Sequence, residues 1–224
     1  MQGQIKRMNE VGYTVFLTPT PLLSYEELVL KSLGSNTYRG FHRKNNNCLG
    51  ASHTFRDVLT KKKDYLIREL NNLTSEKQLN TLANELCSEL KSELSKNIKP
   101  LQLQSFNKVR KPIDIVFEHF IAMGEDFAPA RKTATPWLFL PLDSQIFQSE
   151  FIFTAQEAKA LGIKRRFTYK DIQTAQHYAD IQNFLKDKAT KISLNHRIYF
   201  DLVWNKRFES NGTNLFLTNP SKNR

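Results

Sequence analysis

Between residues 75 and 97 the apolar positions fall at Leu79, Leu82, Leu86, Leu90 and Leu94, a spacing of three and four that places them on one face of a helix. Ser75 with Gln78 marks where that helix starts, because a serine side chain there accepts from a backbone N–H of the first turn. The same signal recurs along the chain. Ser24 with Glu27 opens YEELVLKSL, Thr154 with Glu157 opens AQEAKALG before a stop at Gly162, and Thr168 with Asp171 leads YKDIQTAQHYADIQNFLKD. HTFRDVLTKKKDYLIREL and HRIYFDLVWNKRF also read as helices. Pro112 suits the first position of another, whose apolar face is Ile113, Val116, Phe117, Phe120 and Ile121. Residues 12–20, GYTVFLTPT, read instead as a short strand or extended run before Pro21. Residues 35–50 and 124–136 are basic loops, and the tail from Asn211 has no periodicity. The pattern predicts a mostly α fold in one unit over 1–224. Its expected arrangement is two helical lobes, 22–100 with 190–224 and 101–189, on either side of a cleft.

Composition changes that picture by suggesting what the cleft holds. The 224 residues are 40% hydrophobic, enough for a sizeable core. Lys and Arg number 33 against 22 Asp and Glu, a net charge of +11 that favours a polyanionic partner, nucleic acid first. An acidic membrane surface would call for a long basic amphipathic helix, and none is evident. No run of 18 apolar residues occurs, and MQGQIKRMNE lacks the apolar stretch of a signal peptide, so a cytoplasmic, nucleoid-associated protein is expected. Cys48 and Cys87 are too few for a four-cysteine metal site, and the five histidines show no HxxxH or HExxH spacing. No metal or cofactor is expected.

The window from Ser105 to Phe147 carries the candidate chemistry. If Pro112 opens a helix, Lys111 stands at its N-terminus. There the helix dipole and the neighbouring Lys108 and Arg110 disfavour an ammonium ion, and the same cations beside free backbone N–H groups make a phosphate site. Asp143, in LFLPLDSQIF, is placed to cap the helix that follows. Each residue also has a plain reading, as a surface lysine that binds phosphate and as an ordinary helix cap.

Taken together, Val109-Arg110-Lys111-Pro112 with IDIVFEHFIAM, followed by Pro141-Leu142-Asp143-Ser144-Gln145-Ile146-Phe147, resemble the catalytic core of the helix-hairpin-helix DNA glycosylase superfamily. In that family G-[RK]-K-[TA] opens the helix of a nucleophilic lysine, and P-[VI]-D-[ST]-[HRN]-[IV] carries the second catalytic residue. The separation of 32 residues between Lys111 and Asp143 is most like the archaeal 8-oxoguanine glycosylase branch. The chain departs from the family at the glycine-rich hairpin, for which it has LQLQSFNKV with no glycine between residues 51 and 123, and at Gln145, where His or Arg is usual.

The resemblance implies a glycosylase-like fold and base excision from DNA, on a base such as 8-oxoguanine, with associated AP lyase activity. Lys111 would attack C1′ as a neutral amine and Asp143 would stabilise the sugar cation. The partner would be double-stranded DNA with a flipped nucleotide, bound by a monomer. His196, Asp201 and Trp204 are candidates for the base pocket, with Asp201 and Trp204 three residues apart and so facing the same way, unless this segment simply packs the last helix. Arg39, Arg43 and Lys44, together with Lys108, Arg110, Lys164 and Arg165, are candidate DNA contacts. Tyr38, Phe41 and His42 are candidates for the wedge that fills the gap. Two other readings stay open: a DNA-binding module without catalysis on the same scaffold, and a restriction or defence enzyme acting on modified DNA. No PD-(D/E)xK, HNH or GIY-YIG pattern supports the last.

Overall fold

The computed structural model describes residues 1–34, 38 and 40–209. α1 (Gln2–Gly12) runs straight into a π-helical turn, Tyr13–Leu17, followed by α2 (Tyr25–Ser32), α3 (Ala51–Lys61), α4 (Lys63–Asn71) and α5 (Glu76–Asn97). A 3₁₀ turn at Pro100–Leu103 leads into α6 (Phe106–Met123), and then come α7 (Arg131–Ala134), a 3₁₀ turn at Thr135–Trp137, α8 (Ser144–Gln148) and α9 (Ala155–Ala160). A third 3₁₀ turn, Tyr169–Asp171, precedes α10 (Ala175–Lys191), and a run of 3₁₀ turns spans Arg197–Glu209. Among the described residues there is no β-strand, only isolated bridges at Leu23 with Gly124 and Arg43 with Ile98. The fold is mostly α.

The caps act as their sequence signals predict. Ser24 Oγ accepts from Glu27 N while the Glu27 carboxylate accepts from Ser24 N at 2.9 Å, and Thr154 with Glu157 repeats the exchange. Ser75 accepts from Gln78 N, and all five leucines of the α5 stripe are buried. Burial of each such side chain is worth about 1.5–3 kcal/mol, so this face alone accounts for the helix. Gly162, at φ 69°, takes the left-handed conformation that ends α9.

Four expectations need correction. Residues 12–17 are helical, neither strand nor extended. Val15 and Phe16 are buried in a helical continuation of α1, with Phe16 stacked 5.5 Å from Tyr199, so tertiary packing overrides the β-preference of a branched and aromatic run. HTFRDVLTKKKDYLIREL breaks at Lys62 into α3 and α4. The Thr168–Asp171 box forms but closes only one 3₁₀ turn, and α10 starts later at a separate cap, Thr174. HRIYFDLVWNKRF is 3₁₀, not α.

α6 is the element around which the others pack. It contacts α2, α5 and α10, and the whole of its predicted apolar face is buried. The buried apolar side chains make one connected cluster from Ile5 to Leu202 that runs through both expected lobes. Among the described residues no helix is long and apolar enough to cross a membrane.

Candidate functional site

Phe106, five residues before Lys111, is the first residue of α6, so Pro112 lies inside the helix and Lys111 is not at its N-terminus. The true start is already occupied. Phe106 N and Asn107 N donate to the carbonyls of Gln173 and Ile172 at 3.3 and 3.2 Å, and Ser105 Oγ donates to Ile172 O at 2.9 Å. Those amides are spoken for by the chain itself, so the expected phosphate cradle at Lys111 does not form.

Lys108 and Arg110 likewise turn away from solvent. Lys108 is buried, with Nζ donating to the Gly40 carbonyl and to Gln102 Oε1, 5.0 Å from the centre of the Phe41 ring. Burial, with Lys170 nearby, pulls its ammonium down to about 8. Arg110 is fully buried. Its Nε donates to Asp114 Oδ1 at 2.8 Å, and its Nη1 to Asn80 and Asn84 at 3.0 and 2.6 Å. The guanidinium lies 4.9 Å from the rings of both Phe139 and Tyr178, and Tyr178 donates to Asp114 Oδ2 at 2.7 Å. Neither cation is placed to meet a DNA phosphate. An i, i+4 partner for the arginine and distant asparagines absorb what composition alone counts as surface charge.

Lys111 differs from both. Its Nζ lies 3.3 Å from Asp143 Oδ2, 32 residues away in sequence, and 5.3 Å from the centre of the Tyr169 ring. The two side chains retain 16% and 18% of their surface, enough for a substrate atom to reach them. Asp143 caps α8 as expected: Oδ1 accepts from Gln145 N at 2.9 Å and Ile146 N at 3.2 Å, which leaves Oδ2 turned to the lysine. The apolar run before it is held by Gln182, whose amide donates to Leu140 O at 2.7 Å and accepts from Leu140 N at 3.1 Å. Asn107 Nδ2 donates to the carbonyls of Leu142 and Tyr169, both at 3.2 Å, tying the residue before Asp143 to the ring beside Lys111. Sequence reasoning passed over Asn107 and Gln182. Their signal was a polar side chain on an apolar helical face.

The terminal 3₁₀ segment adds a second acid. A period of three brings Asp201, Trp204 and Arg207 to one edge, where Arg207 pairs with Asp201 and its guanidinium sits 4.3 Å over the Trp204 ring. Burial pushes the Asp201 carboxyl up. Arg207 opposes that, while Asp143 adds to it and Lys111 subtracts, so Asp201 stands within electrostatic reach of the pair. His196 is elsewhere, edge-on to Tyr199 at 5.0 Å, in the seam where Tyr199 packs on α1 and its π turn. Two neighbours on α6 were not anticipated. Glu118 is buried, and the half-buried His119 has Nδ1 2.9 Å from Ser32 Oγ, with its imidazole pushed down to about 3 by burial, Arg207 and Lys31.

Arg43, Lys44, Lys164 and Arg165 are exposed cations. The first two are fixed beside the α5–α6 corner, where Lys44 N donates to Asn97 O at 2.8 Å and Lys99 N donates to His42 O at 3.0 Å. A side chain at Gly40 would put Cβ 2.5 Å from Tyr169 Oη, so this loop closes on the residue that flanks Lys111. Tyr38 and Phe41 do not form a wedge: both are buried, with ring centres 5.0 and 6.3 Å from that of Phe55. Arg39 lies outside the described residues. Comparison with protein-family models, with curated proteins and with solved structures finds no significant match to this chain.

Proposed function

We propose that this chain is a DNA base-excision glycosylase with associated AP lyase activity, and that Lys111 and Asp143 are its catalytic residues. The observation that carries the reading is their approach to 3.3 Å, partly exposed, with the carboxylate oriented by two backbone N–H groups. A lysine amine joined to a fixed carboxylate is suited to attack on a carbon that develops positive charge. Supporting it are the net charge of +11 and the exposed Arg43 and Lys44 beside the α5–α6 corner.

The chemistry follows from those two groups. Asp143 Oδ2 takes the proton from Lys111, and the freed lone pair on Nζ forms a bond to C1′ of an extruded nucleotide. The C1′–N glycosidic bond breaks and its electron pair leaves with the base. The new secondary ammonium gives up a proton to the departing base, the lone pair this restores on Nζ expels the sugar ring oxygen, which takes up a proton, and an iminium results. Loss of a C2′ proton from that iminium expels the 3′ phosphate and cuts the strand. The site would act on double-stranded DNA as a monomer, reached only by flipping the nucleotide out.

The test is a panel of oligonucleotides carrying 8-oxoguanine, uracil, alkylated purines or hydroxymethylated pyrimidines, scored for strand cleavage with and without alkali. The account expects cleavage of one of them without alkali by the wild type and none by Lys111→Gln. Cleavage that needs alkali would remove the lyase step and demote Lys111. Tight binding with no excision of any base would make the chain a DNA-binding module instead.

A further inference from the structure

α6 carries a second ionisable side chain on the face that bears Lys111. Seven residues, close to two helical turns, bring Glu118 back to the same side about 10 Å further along the axis. Glu118 is only 2% exposed, and its Oε1 is enclosed with no hydrogen-bond partner among the described residues. Its charged neighbours are Asp201 and Arg207 of the terminal 3₁₀ segment and Asp114 one turn earlier on α6. Asp201 also feels Asp143 and Lys111, so this one residue links Glu118 to the candidate catalytic pair.

Among the described residues, Oε1 of this carboxyl is left without a hydrogen-bond partner. Asp114, equally buried, has one oxygen bonded to Arg110 and the other to Tyr178. Arg207, the cation near Glu118, is paired with Asp201. A methionine would fill the same space without the cost of desolvating an acid. A polar atom enclosed without a partner among the described residues is suited to one supplied from outside the chain.

We propose that Glu118 is a base-reading residue: its carboxyl group forms the floor against which the extruded nucleobase hydrogen-bonds while Lys111 and Asp143 act on the sugar. The proposal rests on the glycosylase reading above. Burial, Asp201 and Asp114 push this carboxyl well above the ordinary range against the pull of Arg207, which favours the protonated form, with one O–H to donate and one oxygen to accept. Such a group matches a base edge that presents an acceptor beside an N–H donor. It refuses the same base once methylation has replaced that N–H.

The experiment uses the full chain on two substrates: an oligonucleotide carrying the base that the wild type excises, and one carrying a preformed abasic site, which has no base to read. Glu118→Met is expected to lower excision by about 30-fold or more, while borohydride trapping on the abasic site stays within about threefold of wild type. Glu118→Gln, which keeps a donor and an acceptor, is expected to excise better than Glu118→Met. The wild type should also discriminate against the N-methylated base. Equal excision by wild type and Glu118→Met overturns the proposal, and so does a parallel loss of trapping in both variants, which would make Glu118 a structural support. A wild type that neither excises a base nor is trapped on abasic DNA overturns the glycosylase reading itself, and the role of Glu118 falls with it.

Discussion

Arg110 and Lys111 are consecutive residues of α6, and each faces an aspartate: Arg110 at 2.8 Å from Asp114 in full burial, Lys111 at 3.3 Å from Asp143 with both side chains partly open. Around the first pair the chain supplies two asparagines, a tyrosine hydroxyl and two aromatic rings. Around the second it supplies one ring, two backbone amides and, just beyond, two further acids, Asp201 and Glu118. The difference separates scaffold from site. A buried ion pair whose partners are nearly all internal holds elements together. One left open on one side keeps its free energy available for something that binds.

Breaking the closed pair should have the largest effect. Arg110→Met strands Asp114 without its cation and is expected to cost about 3–5 kcal/mol of stability, read as a lower midpoint in urea unfolding. A midpoint equal to that of the wild type would mean that the network contributes nothing to folding. Asp143→Asn sharpens the contrast, because asparagine caps a helix as well as aspartate does, so stability should change by less than about 1 kcal/mol. Excision, in contrast, should fall about 10²-fold or more once the carboxylate is gone. A loss of stability as large as that of Arg110→Met would place Asp143 with the scaffold.

The smallest effect is on pH dependence. Glu118 holds in the folded chain a proton that an unfolded glutamate gives up above its ordinary range, so its contribution to stability falls as pH rises from about 4.5. Asp201 and Asp114 act in the same direction on it and Arg207 against. Glu118→Gln removes that penalty. Its melting temperature should exceed that of the wild type at pH 8, with the gap closing toward pH 4. A gap that does not change with pH would mean that the carboxyl ionises as readily inside the fold as outside it.

Much of the scaffold was legible because it is written locally. Ser24, Ser75 and Thr154 cap the helices they were expected to cap, and the leucines of α5 and the apolar face of α6 lie in the core. What was not legible depends on distant partners. Tyr13–Leu17 coils because Phe16 meets Tyr199, and Lys108 is buried because the Gly40 carbonyl and Gln102 Oε1 accept hydrogen bonds from its Nζ. Asp114 four residues on was the legible sign of the buried Arg110 pair, yet net charge drew the arginine to the surface. The approach of Lys111 to Asp143 was foreshadowed by two short motifs, although the helix-end argument that singled out Lys111 does not hold, since α6 begins at Phe106. Glu118 and Asn107 left their trace as polar residues on a buried face.

The central claim is that the amine of Lys111 forms the covalent link to DNA. Borohydride reduction of the protein with an abasic-site oligonucleotide, followed by peptide mapping of the adduct by mass spectrometry, tests it most directly. The account predicts one adduct, on the peptide containing Lys111, and none from Lys111→Gln. An adduct on another peptide, or one that persists undiminished in Lys111→Gln, would contradict it.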